Sequence, residues 1–107
     1  MSQKDEKLKE LIRELAADYF SRHSNRQSLI TVTGIELEGR GAYAVILVTV
    51  LPEDQEEAAI GFIHRQLGDF REHVMERARL MRIPYFEVRL DKGEKNRQLM
   101  DEITRKL

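Results

Sequence analysis

The sequence predicts a single α+β domain in which helices cover one face of a three-stranded sheet. Two long segments carry apolar residues every three or four positions, two short segments alternate apolar with polar residues, and a third short segment is apolar on both faces. The chain of 107 residues is too short for two domains that fold independently. One domain over residues 1–107 is therefore expected, in the order α-β-β-α-(kink)-α-β-α, with the helices packed on one face of the sheet.

The first helix and the first two strands follow from these patterns. The spacing predicts a helix from Lys4 to Arg22, after which the alternation of a first strand slips at Gly34 and predicts a β-bulge. The turn Glu38–Gly41 contains two glycines able to take positive φ, as a tight hairpin requires. The second strand runs to Leu51 with apolar residues on both faces, which predicts a central, covered strand.

The second half of the chain begins with an acidic run after Pro52, which is typical of a helix start. A helical stripe continues to Pro84, interrupted by Gly61 and Gly68, and a kink is expected at Gly68 because a glycine inside a helix weakens it. A third strand follows, in which one face is apolar and the other is polar and exposed to solvent. The last helix is expected to turn three apolar residues inward: Leu99, Met100 and Ile103.

Composition limits the function. Apolar residues make up 41% and charged residues 35% of the chain, a balance typical of a folded protein, and the net charge is -1. Such a protein does not coat nucleic acid through bulk charge, so any RNA role depends on a local patch. There is no cysteine, and no segment reads as a signal peptide or membrane span, so a cytoplasmic protein with no membrane role is expected.

Catalytic and metal-binding patterns are not found. The three histidines, His23, His64 and His73, fit no metal-ligand spacing, and no serine lies in a nucleophile elbow or a phosphate-binding glycine loop. The carboxylates give no pair that stands out as a general acid and base. We therefore expect no enzymatic activity, no metal, no cofactor and no small-molecule substrate.

Five stretches together resemble the bacterial ribosome-binding factor A family. They are "ELIRELAADYF", "LITVTGIELE", "AYAVILVTVL", "RARLMRIPYFEVRLD" and "NRQLMDEI", and they span most of the chain. The resemblance implies a KH-like domain of the second type that docks on the small ribosomal subunit, its rRNA and its proteins, during late rRNA maturation. It also implies a kink written Ala-x-Gly between two middle helices. Here Gly68 stands at the matching distance before Pro84, while Gln66 replaces the alanine; Ala59-Ile60-Gly61 is the alternative position.

The candidate RNA-binding residues are basic side chains in the second half of the chain. Between Gly61 and Arg82 the sequence has five arginines and three acidic residues, and guanidinium groups bind phosphates well. The full candidate set comprises Arg65, Arg71, Arg77, Arg79, Arg82, Arg89, Lys92, Lys95 and Arg97. The alternative for these charges is a solvated helix face with internal ion pairs.

Two functional hypotheses stay open at this point. The first is a monomeric, non-catalytic assembly factor that binds 16S-type rRNA through the basic helix surface. The second is a KH-like protein-interaction module with little RNA affinity, which is suggested by the sequence pI near 6.3, by Gln66 at the kink and by the lack of a basic extension in the sequence. The salt dependence of a complex would separate them, because phosphate contacts weaken steeply with salt.

Overall fold

The computed structural model describes residues 3–22 and 27–106 and forms an α+β fold with a three-stranded sheet. The elements are α1 (Gln3–Arg22), β1 (Leu29–Glu38), β2 (Tyr43–Leu51), α2 (Glu56–Arg77), β3 (Tyr85–Leu90) and α3 (Lys92–Lys106). A short 3-10 helix, Glu53–Gln55, leads into α2. The predicted fold class and the order of helices and strands are confirmed.

The sheet has the order β1-β2-β3. β1 and β2 form an antiparallel hairpin, whereas β2 and β3 are parallel and are joined through α2, as a parallel pair requires a crossover connection. Val32 pairs with Val48 and Gly34 with Leu47, so that Thr33 between them has no partner in the register. This confirms the bulge that the slipped alternation predicts.

The hairpin turn takes an unusual backbone path. Gly39, Arg40 and Gly41 all have positive φ, at 59°, 56° and 83°. Glycine reaches this region without a steric penalty, whereas an L-residue such as arginine is disfavoured there by about 1 to 2 kcal/mol. The two glycines are as predicted, and the strained residue of the turn is Arg40.

The core lies between the sheet and the two long helices, α1 and α2. Alternate β2 residues face these helices and are buried: Ala44, Ile46, Val48 and Val50. Phe70 of α2 lies at the centre, with its ring centroid 5.4 Å from that of Tyr19, 5.3 Å from that of Phe20 and 4.9 Å from that of Phe86. Packing of aromatic edges and faces at these distances adds to the energy of burial.

The opposite face of the sheet is partly covered by its own ion pairs. Val45 of β2 is 0% exposed although it points away from the helices. Arg89 on β3 reaches Glu38 on β1 at 3.0 Å and contacts Glu87 at 2.9 Å, so its side chain crosses β2 over Val45. The long aliphatic part of an arginine can cover apolar surface in this way.

Two sequence-based expectations about helices are wrong. α2 ends at Arg77 and does not continue to Pro84, because Ala78 adopts an extended conformation and the segment from 78 to 84 has no helical structure. The residue before a proline also disfavours the helical conformation. In α3 no residue is buried, and Leu99, Met100 and Ile103 are exposed instead of facing the core.

Helical structure continues through the expected kink. Gln66, Leu67 and Gly68 all lie inside α2, and a Cβ placed on Gly68 would meet no atom within 4 Å. A bend at this position stays a prediction.

Gly68→Ala is expected to raise the free energy of unfolding by about 1 kcal/mol, because alanine has the higher helix propensity and the space is open. Urea unfolding checks this. Gly39→Ala is the control and should destabilise the protein, since φ is 59° there and the new Cβ would lie 3.3 Å from the Tyr43 ring. Destabilisation by Gly68→Ala would mean that residue 68 is not helical in solution.

Candidate nucleic-acid interface

Three arginines lie together where α2 ends. Arg77 is in the last turn of α2, and Arg79 and Arg82 are exposed on the segment that follows. In the described part of the chain no ion pair involves Arg79 or Arg82, and Arg77 has only a 3.6 Å contact with exposed Glu76. Exposed pairs of that kind contribute little. These three residues, called the cationic loop below, are therefore available to an external anion.

Arg71 anchors the path of the cationic loop. Its Nε donates a hydrogen bond to the carbonyl oxygen of Pro84 at 3.3 Å and its Nη2 to that of Ile83 at 3.1 Å. Its guanidinium carbon lies 4.7 Å from the centre of the Tyr85 ring, a cation–π contact. Arg71 was predicted as an RNA contact, and the structure places it as a clamp between α2 and the start of β3.

The other predicted basic residues do not join the cationic loop. Arg65 lies twelve residues before Arg77 on α2, or about 18 Å along the helix. Four more residues lie at or beyond the far end of β3, a strand that is about 20 Å long: Arg89, Lys92, Lys95 and Arg97. The candidate set thus forms two groups at opposite ends of β3, with Arg65 between them.

Most of the far group is bound to carboxylates of the protein itself. Lys95 contacts Glu53 at 2.9 Å and Glu56 at 3.0 Å, and Arg97 contacts Glu94 at 2.6 Å. Hydrogen bonding to Glu53 raises the pKa of Lys95, and the same bond lowers the pKa of Glu53. The bond to Glu38 raises the pKa of Arg89. Lys92 is exposed, and no ion pair in the described ranges involves it.

The junction between β3 and α3 is held by Asp91. Its Oδ1 accepts the backbone N–H of Glu94 at 3.0 Å, which caps α3, and its Oδ2 accepts the hydroxyl of Thr33 at 2.6 Å. The Thr33 bond is the main reason that the pKa of Asp91 is lowered, and the Glu94 N–H adds to it. The bulge residue of β1 thus fixes the start of α3.

Asp91→Ala is expected to lower the free energy of unfolding by about 1 kcal/mol at neutral pH, through loss of the cap. Because the folded state lowers the pKa of Asp91, this stabilisation is present above the ordinary aspartate pKa of about 4 and is lost as the pH falls through the folded value. Urea unfolding at pH 7 and pH 3 should show the difference from the wild type shrink at pH 3. Asp101→Ala on exposed α3 is the control, and an undiminished difference at pH 3 would contradict the assignment.

Two exposed tyrosines lie outside the predicted set of RNA-binding residues. Tyr43 and Tyr85 begin β2 and β3, pair with each other in the parallel register and have ring centroids 6.2 Å apart. Each precedes a core residue, Ala44 or Phe86, so the alternation of the strands already placed both on the outer face. Their pairing could not be predicted, since it depends on the register between strands that are distant in sequence.

A groove at the other end of the sheet has a volume of about 790 Å3. Four carboxylates line it, those of Glu36, Glu56, Glu57 and Asp91, beside Leu47 and Ile60. Within residues 3–22 and 27–106 no three side chains of His, Cys, Asp or Glu are arranged to hold a metal ion, and His23 lies outside these ranges. None of the described helices is both long and apolar enough to span a membrane.

Comparison with known proteins identifies the family. The family model for "Ribosome-binding factor A" matches residues 4–104. Ribosome-binding factor A of Lacticaseibacillus casei (strain BL23) is 34% identical over 83 residues, which cover 72% of this chain and 71% of that protein.

Solved structures show the same fold. The crystal structure of ribosome-binding factor A from Thermus thermophilus aligns with a TM-score of 0.69 at 21% identity, over 78% of this chain and 91% of that one. The solution structure of a Thermotoga maritima protein aligns with a TM-score of 0.66 at 26% identity, over 80% and 85% of the two chains. The family model covers nearly the whole sequence, and the relative from Lacticaseibacillus casei is 34% identical. The chain therefore belongs to the ribosome-binding factor A family.

Proposed function

We propose that this protein is a non-catalytic maturation factor of the small ribosomal subunit that docks on its rRNA through the cationic loop. The observation that carries the proposal is the family match over residues 4–104. We further propose that the protein acts as a monomer in the cytoplasm. It would also contact ribosomal proteins next to the rRNA that it binds.

The chemistry of the cationic loop supports contact with phosphates. Guanidinium groups offer several N–H donors in a planar fork that matches the oxygens of a phosphate. Among the described residues no carboxylate forms an ion pair with Arg79 or Arg82. Binding of a phosphate by these two arginines therefore does not require an existing ion pair to break. Because Arg71 holds the carbonyls of Ile83 and Pro84, the loop loses less conformational freedom on binding than a free segment would.

Recognition of folded RNA by shape is more consistent with this surface than reading of a single-stranded sequence by a KH loop. An ordinary KH domain clamps four nucleotides with a Gly-x-x-Gly loop. The sequence has no such loop, and Gly39 and Gly41 belong to the β1–β2 turn. Phosphate contacts position a protein on an RNA helix without reading its bases.

Co-sedimentation with isolated small ribosomal subunits tests the proposal, with large subunits as the control and at low and near-physiological salt. Selective binding to the small subunit that weakens with salt is expected. Equal binding to both subunits, or no binding at either salt concentration, would overturn the proposal.

A protein-interaction module is the second candidate, and α3 favours it. Leu99, Met100 and Ile103 lie on one side of this helix and are exposed, and exposed apolar stripes often mark protein contacts. In the same co-sedimentation, small-subunit binding that does not change with salt would favour this candidate, since an apolar interface does not release counterions.

A further inference from the structure

We infer that Tyr43 and Tyr85, together with Arg40 and Arg82, form a stacking site for an unpaired base of RNA. This inference rests on the proposed rRNA function and adds a second mode of contact to it. The cationic loop would bind phosphates, whereas this site would hold a base that has left its helix. The outer face of the sheet, at the end where β2 and β3 begin, carries the site.

The geometry of the two rings suits a base. Tyr43 is 45% and Tyr85 62% exposed, their centroids are 6.2 Å apart and their planes meet at 40°. Exposed aromatic rings on a sheet stack unpaired bases, and each stacked base contributes about 1 to 3 kcal/mol. Because the two rings are tilted, a base can stack on the face of one ring while the edge of the other ring contacts the same base or the next one.

Both rings are held in place before any ligand binds. The Arg71 guanidinium lies 4.7 Å from the centre of the Tyr85 ring, and the N–H of Tyr85 donates to the carbonyl of Ala42 at 2.9 Å. The Tyr43 ring lies against the turn, where a Cβ on Gly39 would be only 3.3 Å from the ring carbon Cδ2. Fixed rings reduce the entropy that binding would cost.

The charges around the rings favour a negatively charged ligand such as an RNA strand. The nearest carboxylates on this face, Glu38 and Glu87, are both bound by Arg89 at 3.0 and 2.9 Å. Arg40 precedes Tyr43 by three residues and Arg82 precedes Tyr85 by three, so each lies within about 11 Å of its tyrosine along the chain. The described residues give neither arginine an ion pair. Phosphates on either side of a stacked base would find these cations.

The conformation of Arg40 adds a second indication. Its φ of 56° lies in the region that favours glycine, and an arginine there costs stability that glycine would not. Residues in such strained conformations cluster at functional sites. The side chain of Arg40 is therefore a good candidate for a phosphate contact.

Binding of a single-stranded RNA decamer of adenines with a central 2-aminopurine tests the inference, measured by fluorescence at low salt. Tyr43→Thr/Tyr85→Thr, which keeps strand-forming residues, should bind the decamer at least 10-fold more weakly and lose the quenching of 2-aminopurine. Leu29→Thr/Leu51→Thr is the matched control: these residues pair at the other end of the same face and are 64% and 56% exposed. The control should stay within 2-fold of the wild type.

A second variant guards against a loss of folding. Arg40→Gly removes the guanidinium and relieves the disfavoured backbone, so its midpoint of thermal unfolding should not fall. It should nevertheless bind the decamer about 3-fold more weakly, as loss of one phosphate contact would cause. A drop in affinity without a drop in stability cannot come from unfolding.

Each outcome separates this inference from the proposed function. Unchanged binding and quenching in the tyrosine variant would overturn the stacking site, even if the wild type binds small subunits selectively. If the variant loses small-subunit binding but binds the decamer normally, the tyrosines contact a protein and the inference is wrong. If the wild type does not bind small subunits, the proposed function fails, while the decamer still tests the stacking site.

Discussion

Reversal of the three charges of the cationic loop, by Arg77→Glu, Arg79→Glu and Arg82→Glu together, is expected to lower affinity for the small ribosomal subunit at least 100-fold. A charge-assisted hydrogen bond to phosphate contributes about 1 kcal/mol or more, and three of them amount to about 3 kcal/mol, or two orders of magnitude. New repulsion from the glutamates adds to the loss. A titration of labelled protein with isolated subunits measures the effect.

The matched control carries the same change in charge at other places. Lys7, Arg105 and Lys106 are exposed on α1 and α3, away from the cationic loop, and their reversal should change affinity less than 5-fold. The circular dichroism of both variants should match that of the wild type, because no changed side chain is in the core. Equal losses in the two variants would show that only net charge matters, and the cationic loop would then have no special role.

Replacement of Arg71 by alanine is expected to lower the free energy of unfolding by about 2 kcal/mol. The variant loses hydrogen bonds from a charged donor to the carbonyls of Ile83 and Pro84, and it loses the contact with the Tyr85 ring. Both carbonyls would then need new partners. Urea unfolding measures the change.

Arg65→Ala is the control for this prediction, because Arg65 is an exposed arginine on the same helix. Its effect should stay within about 0.5 kcal/mol, as is usual for exposed positions. If Arg71→Ala had no more effect than Arg65→Ala and instead weakened subunit binding, Arg71 would be an RNA contact and not a clamp.

Much of the fold was accessible from local pattern. Apolar residues on both faces of β2 predicted a central strand. In the structure, residues 44–50 are buried apart from Leu47, which is half-buried. The slip at Gly34 predicted a bulge because a shift of one residue turns every later side chain to the other face. Patterns of this kind depend only on residues that are neighbours in sequence, so they can be recognised in a single sequence.

The end of α2 could not be read in the same way. Leu80 and Met81 continue the apolar stripe, yet α2 ends at Arg77 because Ala78 turns to extended backbone and Arg71 binds carbonyls twelve and thirteen residues later. Contacts over such a distance leave no periodic signal. The exposure of Leu99 and Ile103 was missed for a related reason: amphipathic spacing predicts a helix, but not whether another element covers it.

The sequence located the charges but not their partners. Composition and local charge pointed to the arginines after Gly61, and three of them gather at the cationic loop. Ion pairs between distant residues, such as Lys95 with Glu53 and Arg89 with Glu38, are set by the tertiary fold. The sequence therefore could not show which of the predicted cations are bound by carboxylates of the protein itself.

The salt dependence of small-subunit binding tests the central claim most directly. The affinity of the wild type and of the neutral variant Arg77→Gln/Arg79→Gln/Arg82→Gln would be measured across a series of KCl concentrations. If the three arginines each neutralise an RNA phosphate, the slope of log affinity against log salt should become shallower by about 2 to 3 in the variant. Identical slopes would contradict the claim that the cationic loop binds rRNA.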